Sequence, residues 1–116
     1  MGLPGGDRAE IDSRKITDYL PSPVHPVGRH KARLFRALGF SRSDADRLTR
    51  ALLDIALDGS VTSHAVTPHG RRYIVEGVVD TPAGTRATIR TVWIISEGSD
   101  RPQFVTAFPR RAVGRE

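Results

Sequence analysis

The sequence predicts an α+β domain, with N-terminal helices packed on one face of a four-stranded antiparallel meander, and three observations carry that expectation. Ala45, Leu48, Leu52, Ile55 and Ala56 recur at helical spacing and stop before Gly59. From Val61 onward the pattern changes to the alternation of strands. Two segments of one design, Thr67-Pro68-His69-Gly70 and Thr81-Pro82-Ala83-Gly84, then supply tight turns with Pro second and Gly fourth, as a type I turn prefers. Like turns between like strands make a meander.

The elements follow in chain order. Met1–Arg14 combines Gly2, Gly5, Gly6 and Pro4 with little apolar pattern and reads as a flexible leader over residues 1–14. A short helical turn is expected at Lys15–Leu20. Pro21, Pro23 and Pro26 force an extended approach to Gly28, where a helix begins that carries Lys31, Leu34, Phe35 and Leu38 on neighbouring positions and ends at Gly39. Ser41-Arg42-Ser43-Asp44 is a capping signal for the following helix. Strands are expected at Val61–Val66, Arg71–Asp80, Thr85–Ile95 and Gln103–Phe108, with Ser96–Pro102 as a polar loop. Val92-Trp93-Ile94-Ile95 is apolar on both alternating faces, which makes the third strand central. A single domain therefore spans 15–109, and 110–116 form a basic tail. If the helices cover one sheet face, the other is free to carry a site.

Composition narrows the function. The 116 residues suffice for one domain with a core, and no apolar run approaches membrane-spanning length or reads as a secretory signal. Cysteine is absent, which excludes disulfides, thiolate chemistry and cysteine zinc sites. The net charge of +5 favours polyanionic partners. Its distribution says more than its size, because Tyr19–Ser43, Gly59–Val75 and Thr81–Ser96 contain bases and no acid. Three such segments can converge on one positive surface.

The segment from Gly28 to Ala37 places His30 and Lys31 side by side on the first helical turn. Free backbone N–H groups, the helix dipole and these cations point the same way, so the helix start is suited to an anion, above all phosphate. A histidine there also moves protons near neutral pH. Metal-independent RNA cleavage needs a base for the 2′-hydroxyl, an acid for the leaving oxygen, and cations or hydroxyl donors for the phosphate. His25, His30, His64 and His69 are candidates for proton transfer; Lys31, Arg33, Arg72, Arg86 and Arg90 for charge; Thr88, Thr91, Thr106 and Tyr73 for hydrogen bonding.

Position ranks them. His69 belongs to a turn and His64 to a short strand, whereas His25 and His30 flank the helix start. Arg90 amid apolar neighbours needs a partner or a ligand. Strand alternation puts Arg90 and Thr91 on opposite faces, so both can line one site only through a bulge. Trp93 reads as core, and Tyr73, following Arg71 and Arg72, as a platform on which a base stacks. The sequence has no nucleotide-enzyme glycine loop, no His-Glu-x-x-His and no G-x-S-x-G elbow. Glu76 and Asp80 are the only acids in the strands before the final loop, too few for a two-metal nuclease, and no metal or cofactor is expected.

The order of motifs is itself informative: Lys15-Ile16-Thr17-Asp18-Tyr19-Leu20, His25-Pro26-Val27-Gly28, His30-Lys31-Ala32 with Phe35, Gly39-Phe40, Gly70-x-x-Tyr73, Arg90-Thr91-x-Trp93-Ile94 and Val105-Thr106-Ala107. From Lys15 to Pro109 this order resembles a small domain at the C-termini of bacterial polymorphic and contact-dependent inhibition toxins, and is similar to stand-alone proteins known only as a domain of unknown function. The resemblance implies the barnase–EndoU–colicin–RelE type of fold, whose toxins are metal-independent ribonucleases, often cutting tRNA, neutralised by an immunity protein or antitoxin. By resemblance His30, Lys31, Arg90, Thr91 and Thr106 are catalytic. His25, Arg33, Arg72, Tyr73 and Arg86 would bind nucleic acid beside them. The expected protein is thus an endoribonuclease toxin that leaves a 2′,3′-cyclic phosphate and acts in the cytoplasm, delivered from another cell within a larger toxin, with an acidic immunity partner and no membrane association. The alternatives are a non-catalytic nucleic-acid-binding or antitoxin-like module, and a scaffold that docks an acidic protein.

Overall fold

The computed structural model describes residues 2–17 and 34–110. Its sheet runs β1 (Ser60–Thr67), β2 (Gly70–Asp80), β3 (Arg86–Ser96) and β4 (Gln103–Pro109), all antiparallel in the order β1-β2-β3-β4. This is the expected meander. The strand bounds agree with the sequence reading to within about one residue, since turn chemistry fixes the ends. Thr85 is the informative exception. The Thr81 hydroxyl lies 2.8 Å from that of Thr85, Gly84 closes the turn by donating to the Thr81 carbonyl at 2.9 Å, and the strand starts only at Arg86.

Helix α1 (Ser13–Thr17) is a single turn, and α2 (Ala45–Asp58) is the main helix. Ahead of α2 the capping box forms as expected: the Ser41 N–H donates to the Asp44 carboxylate at 2.8 Å, and the Ser41 side chain accepts from the Asp44 backbone N–H. Leu48, Leu52, Ile55 and Ala56 face inward, the stripe read from the sequence. Ile55 meets the sheet at Gly77, where a Cβ would lie 2.7 Å from Ile55 Cγ1, so the missing side chain lets helix and strand close together. Residues 34–36 are helical, ending in the turn that leads to Gly39; the helix start near Gly28 lies outside the described residues.

The core sits between α2, residues 35–40 and one face of the sheet. Trp93, Phe35, Phe40, Leu48, Leu52, Ile89 and Val75 are its largest fully buried members, and Trp93 meets Phe104 edge-on at 5.4 Å between ring centroids. Side chains of this size stabilise the fold by roughly 1.5–3 kcal/mol each on burial. Trp93 is core, as expected.

One expectation fails. The N-terminal segment is no loose leader: Leu3 is buried, a 3-10 turn spans Gly6–Arg8, and Glu10 forms a parallel bridge with Gln103. Gly5 is left-handed at φ 70°, and its Cβ position would fall on the Asp100 carbonyl, while that of Gly6 would fall on Ala56. Of the glycines in this segment, Gly5 and Gly6 are there for close approach, while open space surrounds Gly2.

Candidate functional site on the open sheet face

Alternation assigns every strand residue to a side. Val75, Gly77, Val79, Ile89, Thr91, Trp93 and Ala107 face the helix, while Arg72, Ile74, Glu76, Thr88, Arg90, Val92, Thr106 and Phe108 face away from it. At the centre of that second face Glu76 stands opposite Arg90. The Arg90 Nε and Nη2 both lie 2.7 Å from Glu76 Oε2, and Arg110 Nη1 lies 2.9 Å from Oε1. The Glu76 side chain is 10% exposed and those of Arg90 and Arg110 35% and 49%, so the arginines form the outer surface. Arg90 also lies 5.9 Å from the Phe108 ring centroid, within cation–π range. Arg110 is held by its backbone, whose N–H donates to the Thr88 carbonyl at 2.7 Å.

Two guanidiniums on one carboxylate leave one net positive charge and several outward N–H donors. A phosphate can take these without a large desolvation cost, because exposed guanidiniums are already partly hydrated. Thr88 and Thr106 lie on the same face, Thr106 opposite Val92 and Thr88 opposite Val78. Arg72 stands towards one end and Arg86 towards the other, the latter paired with Asp80 at 3.2 Å and almost fully solvated.

Two expected site residues are elsewhere. Thr91 is fully buried on the helix side; its hydroxyl donates to the Val75 carbonyl at 2.8 Å and accepts from Trp93 Nε1 at 2.7 Å. A bulge does exist, between Val92 and Trp93 against β4, but it lies beyond Thr91 and does not turn it. Thr91 satisfies the indole and a main-chain carbonyl, which is a structural duty. Tyr73 is 7% exposed, stands opposite Trp93 on the helix side and lies 5.8 Å from the His64 ring, so it is no stacking platform beside Arg72. His25, His30, Lys31 and Arg33 lie outside the described residues.

The sequence reading missed Glu76 and Arg110. Composition marks Glu76 only as one of two acids in the strands before the final loop, and Arg110 falls in the basic tail. The signal was present: the Thr81–Gly84 turn fixes the hairpin register, and counting back from it sets Glu76 opposite Arg90.

Among the described residues no three His, Asp or Glu side chains gather as a metal site, and no helix is long and apolar enough to cross a membrane. Residues 2–111 match the family described as Domain of unknown function (DUF6883), and the chain belongs to that family. No curated protein matches the sequence. Among solved structures, a chain of the contact-dependent growth inhibition toxin–immunity protein complex from Klebsiella pneumoniae 342 has the same architecture, with a TM-score of 0.71 at 15% identity, over 93% of this chain and 98% of that one. The α+β fold is thereby shared.

Proposed function

We propose that the chain is a toxin domain that cleaves RNA without a metal, and that the Glu76–Arg90–Arg110 cluster on the open sheet face is the centre of its site. One observation carries the reading: a carboxylate is held ready between two partly exposed guanidiniums where the sheet is uncovered by any described helix. The likeness of the fold to a chain of a toxin–immunity complex supports the toxin role.

In this reading the scissile phosphate exchanges places with part of the Glu76 carboxylate on Arg90 and Arg110, and Thr106 donates to it. Glu76, released from one arm of its grip, takes the proton of the 2′-hydroxyl. The 2′-oxygen attacks phosphorus, the bond to the 5′-oxygen breaks, and His30 returns a proton to that oxygen while Lys31 balances charge. The products are a 2′,3′-cyclic phosphate and a 5′-hydroxyl. Arg72 and Arg86 extend the basic face along the strand for flanking phosphates, with His25 and Arg33 contributing from the segment before Leu34. Action in a target cytoplasm, delivery from another cell and neutralisation by an acidic immunity protein complete the reading.

A second reading has its own support: Glu76 is nearly buried and both arginines spend donors on it, as in a purely structural ion cluster that binds nucleic acid without cutting it. Incubation of the purified protein with total RNA and pooled tRNA decides. Cleavage that persists in chelator, spares DNA and 2′-O-methyl RNA, and yields cyclic phosphate ends supports the enzyme. Intact RNA from about pH 5 to 8, the span over which histidine changes charge, leaves the binding module.

A further inference from the structure

The two edges of the sheet are finished differently. Along β4 the Glu10 N–H donates to the Pro102 carbonyl and its carbonyl accepts from the Phe104 N–H, each at 2.9 Å. Arg101 secures this segment through the Glu10 carboxylate at 2.9 Å, and Lys15 reaches the Val105 carbonyl at 3.4 Å. That edge is occupied. Among the described residues β1 has main-chain partners on β2 alone.

β1 also lacks the features that normally keep an edge from pairing again. Ser60–Thr67 contains no charged residue and no proline, and Val66 is 81% exposed. The one irregularity, between Val61 and Ser63, leaves Ser63–Thr67 in unbroken register with β2. Behind this stretch α2 does not reach the end of the sheet, and a cavity of about 550 Å³ opens on the helix side, lined by Val66, Arg71, Tyr73 and Ile95 of the strands and by Arg8 of the N-terminal segment. Glu97 and Asp100 also line it; Asp100 is taken by Arg8 at 3.3 Å, whereas Arg71 has no carboxylate partner among the described residues. The turn end of the hairpin has charge of one sign: from Gly59 to Val75 there is no Asp or Glu, and the basic side chains are Arg71, Arg72 and two histidines, with Arg71 and Arg72 directed to opposite faces beside β1.

We propose that β1 receives an extended acidic strand from a partner protein, with a carboxylate of that strand passing over Val66 to Arg71 in the cavity. Main-chain bonds along Ser63–Thr67 supply affinity, and the cavity and the two arginines select the acidic side chains. The proposal specifies how the protein partner of the preceding reading is held. It is independent of RNA cleavage, so failure of the cleavage assay and failure of this site are separate results.

The test uses the full chain, isotopically labelled for NMR, and a short N-acetylated peptide of alternating valine and glutamate, with the lysine analogue for comparison. The glutamate peptide should shift the signals of Ser63–Thr67 and Arg71 and slow amide exchange along β1, while the lysine peptide leaves them unchanged. Val66→Glu, which sets a like charge against the acidic strand at an exposed position, and Arg71→Glu should each weaken the peptide by about tenfold or more with the melting temperature kept. Perturbation confined to β4 or to the Arg90 face, wild-type affinity in both variants, or no binding at millimolar peptide overturns the proposal. Self-association of the free chain through Ser63–Thr67 overturns it too, in favour of a second copy as the occupant.

Discussion

Glu76 and Arg90 face each other across the β2–β3 ladder with both Nε and Nη2 of the guanidinium 2.7 Å from one carboxylate oxygen. The pair explains how a charge survives in a central strand among Val92, Ile94 and Ile74: the sheet supplies its counter-ion from the neighbouring strand, and Arg110 closes the other side.

Glu76→Gln keeps the shape of this cluster and removes its charge. On the proposed chemistry, RNA cleavage should fall by about two to four orders of magnitude, the usual worth of a positioned base. RNA affinity should hold or rise, because a negative charge leaves a basic face. His30→Ala and Lys31→Ala should lower cleavage on a similar scale without altering the melting temperature. Affinity lost together with cleavage in Glu76→Gln would assign the carboxylate to structure alone.

Thr91→Val tests the opposite assignment. The variant keeps volume but leaves the Trp93 indole N–H and the Val75 carbonyl without their shared partner, which should destabilise the fold by about 1–3 kcal/mol. Thr91→Ser should recover most of it. The chain has a single tryptophan, so its fluorescence reports the local environment directly in both variants. Cleavage per folded molecule should be unchanged.

Gly39 sits at φ 93°, with its Cβ position 2.6 Å from the Ala83 nitrogen, at the point where the Ala83 N–H bonds the Leu38 carbonyl. Gly39→Ala meets both a left-handed backbone and a main-chain clash. A loss of about 2 kcal/mol or more in denaturant unfolding is expected, and the control Gly84→Ala, where open space surrounds the added methyl, should cost less.

Asp44 accepts from the Ser41 N–H and hydroxyl, and these bonds hold its carboxyl below its ordinary value of 3.8. A depressed folded value means that the box stabilises the helix fully above 3.8 and loses that effect as pH falls through the folded value. Asp44→Ala should therefore melt lower than wild type at neutral pH, with the gap narrowing as pH falls below 3.8. A gap that stays constant across this range would show that the carboxylate charge takes no part.

Local patterns determined the strands, the α2 stripe, its capping box and the place of Trp93, because each depends on periodicity or turn chemistry within a few residues. The alternation that separates Arg90 from Thr91 was legible for the same reason. Tertiary structure decided what no local window contains. Only the pairing of β2 with β3, and the path of the chain after Pro109, brings Glu76, Arg90 and Arg110 to one point. Only helix placement settles which face of β2 is covered, and it takes Thr91 and Tyr73 away from the open face. Gly5 and Gly6 look identical in sequence whether they loosen a leader or fit it against Asp100 and Ala56. Their role follows from backbone approach across long separations, and a sequence records that only as the absence of a side chain.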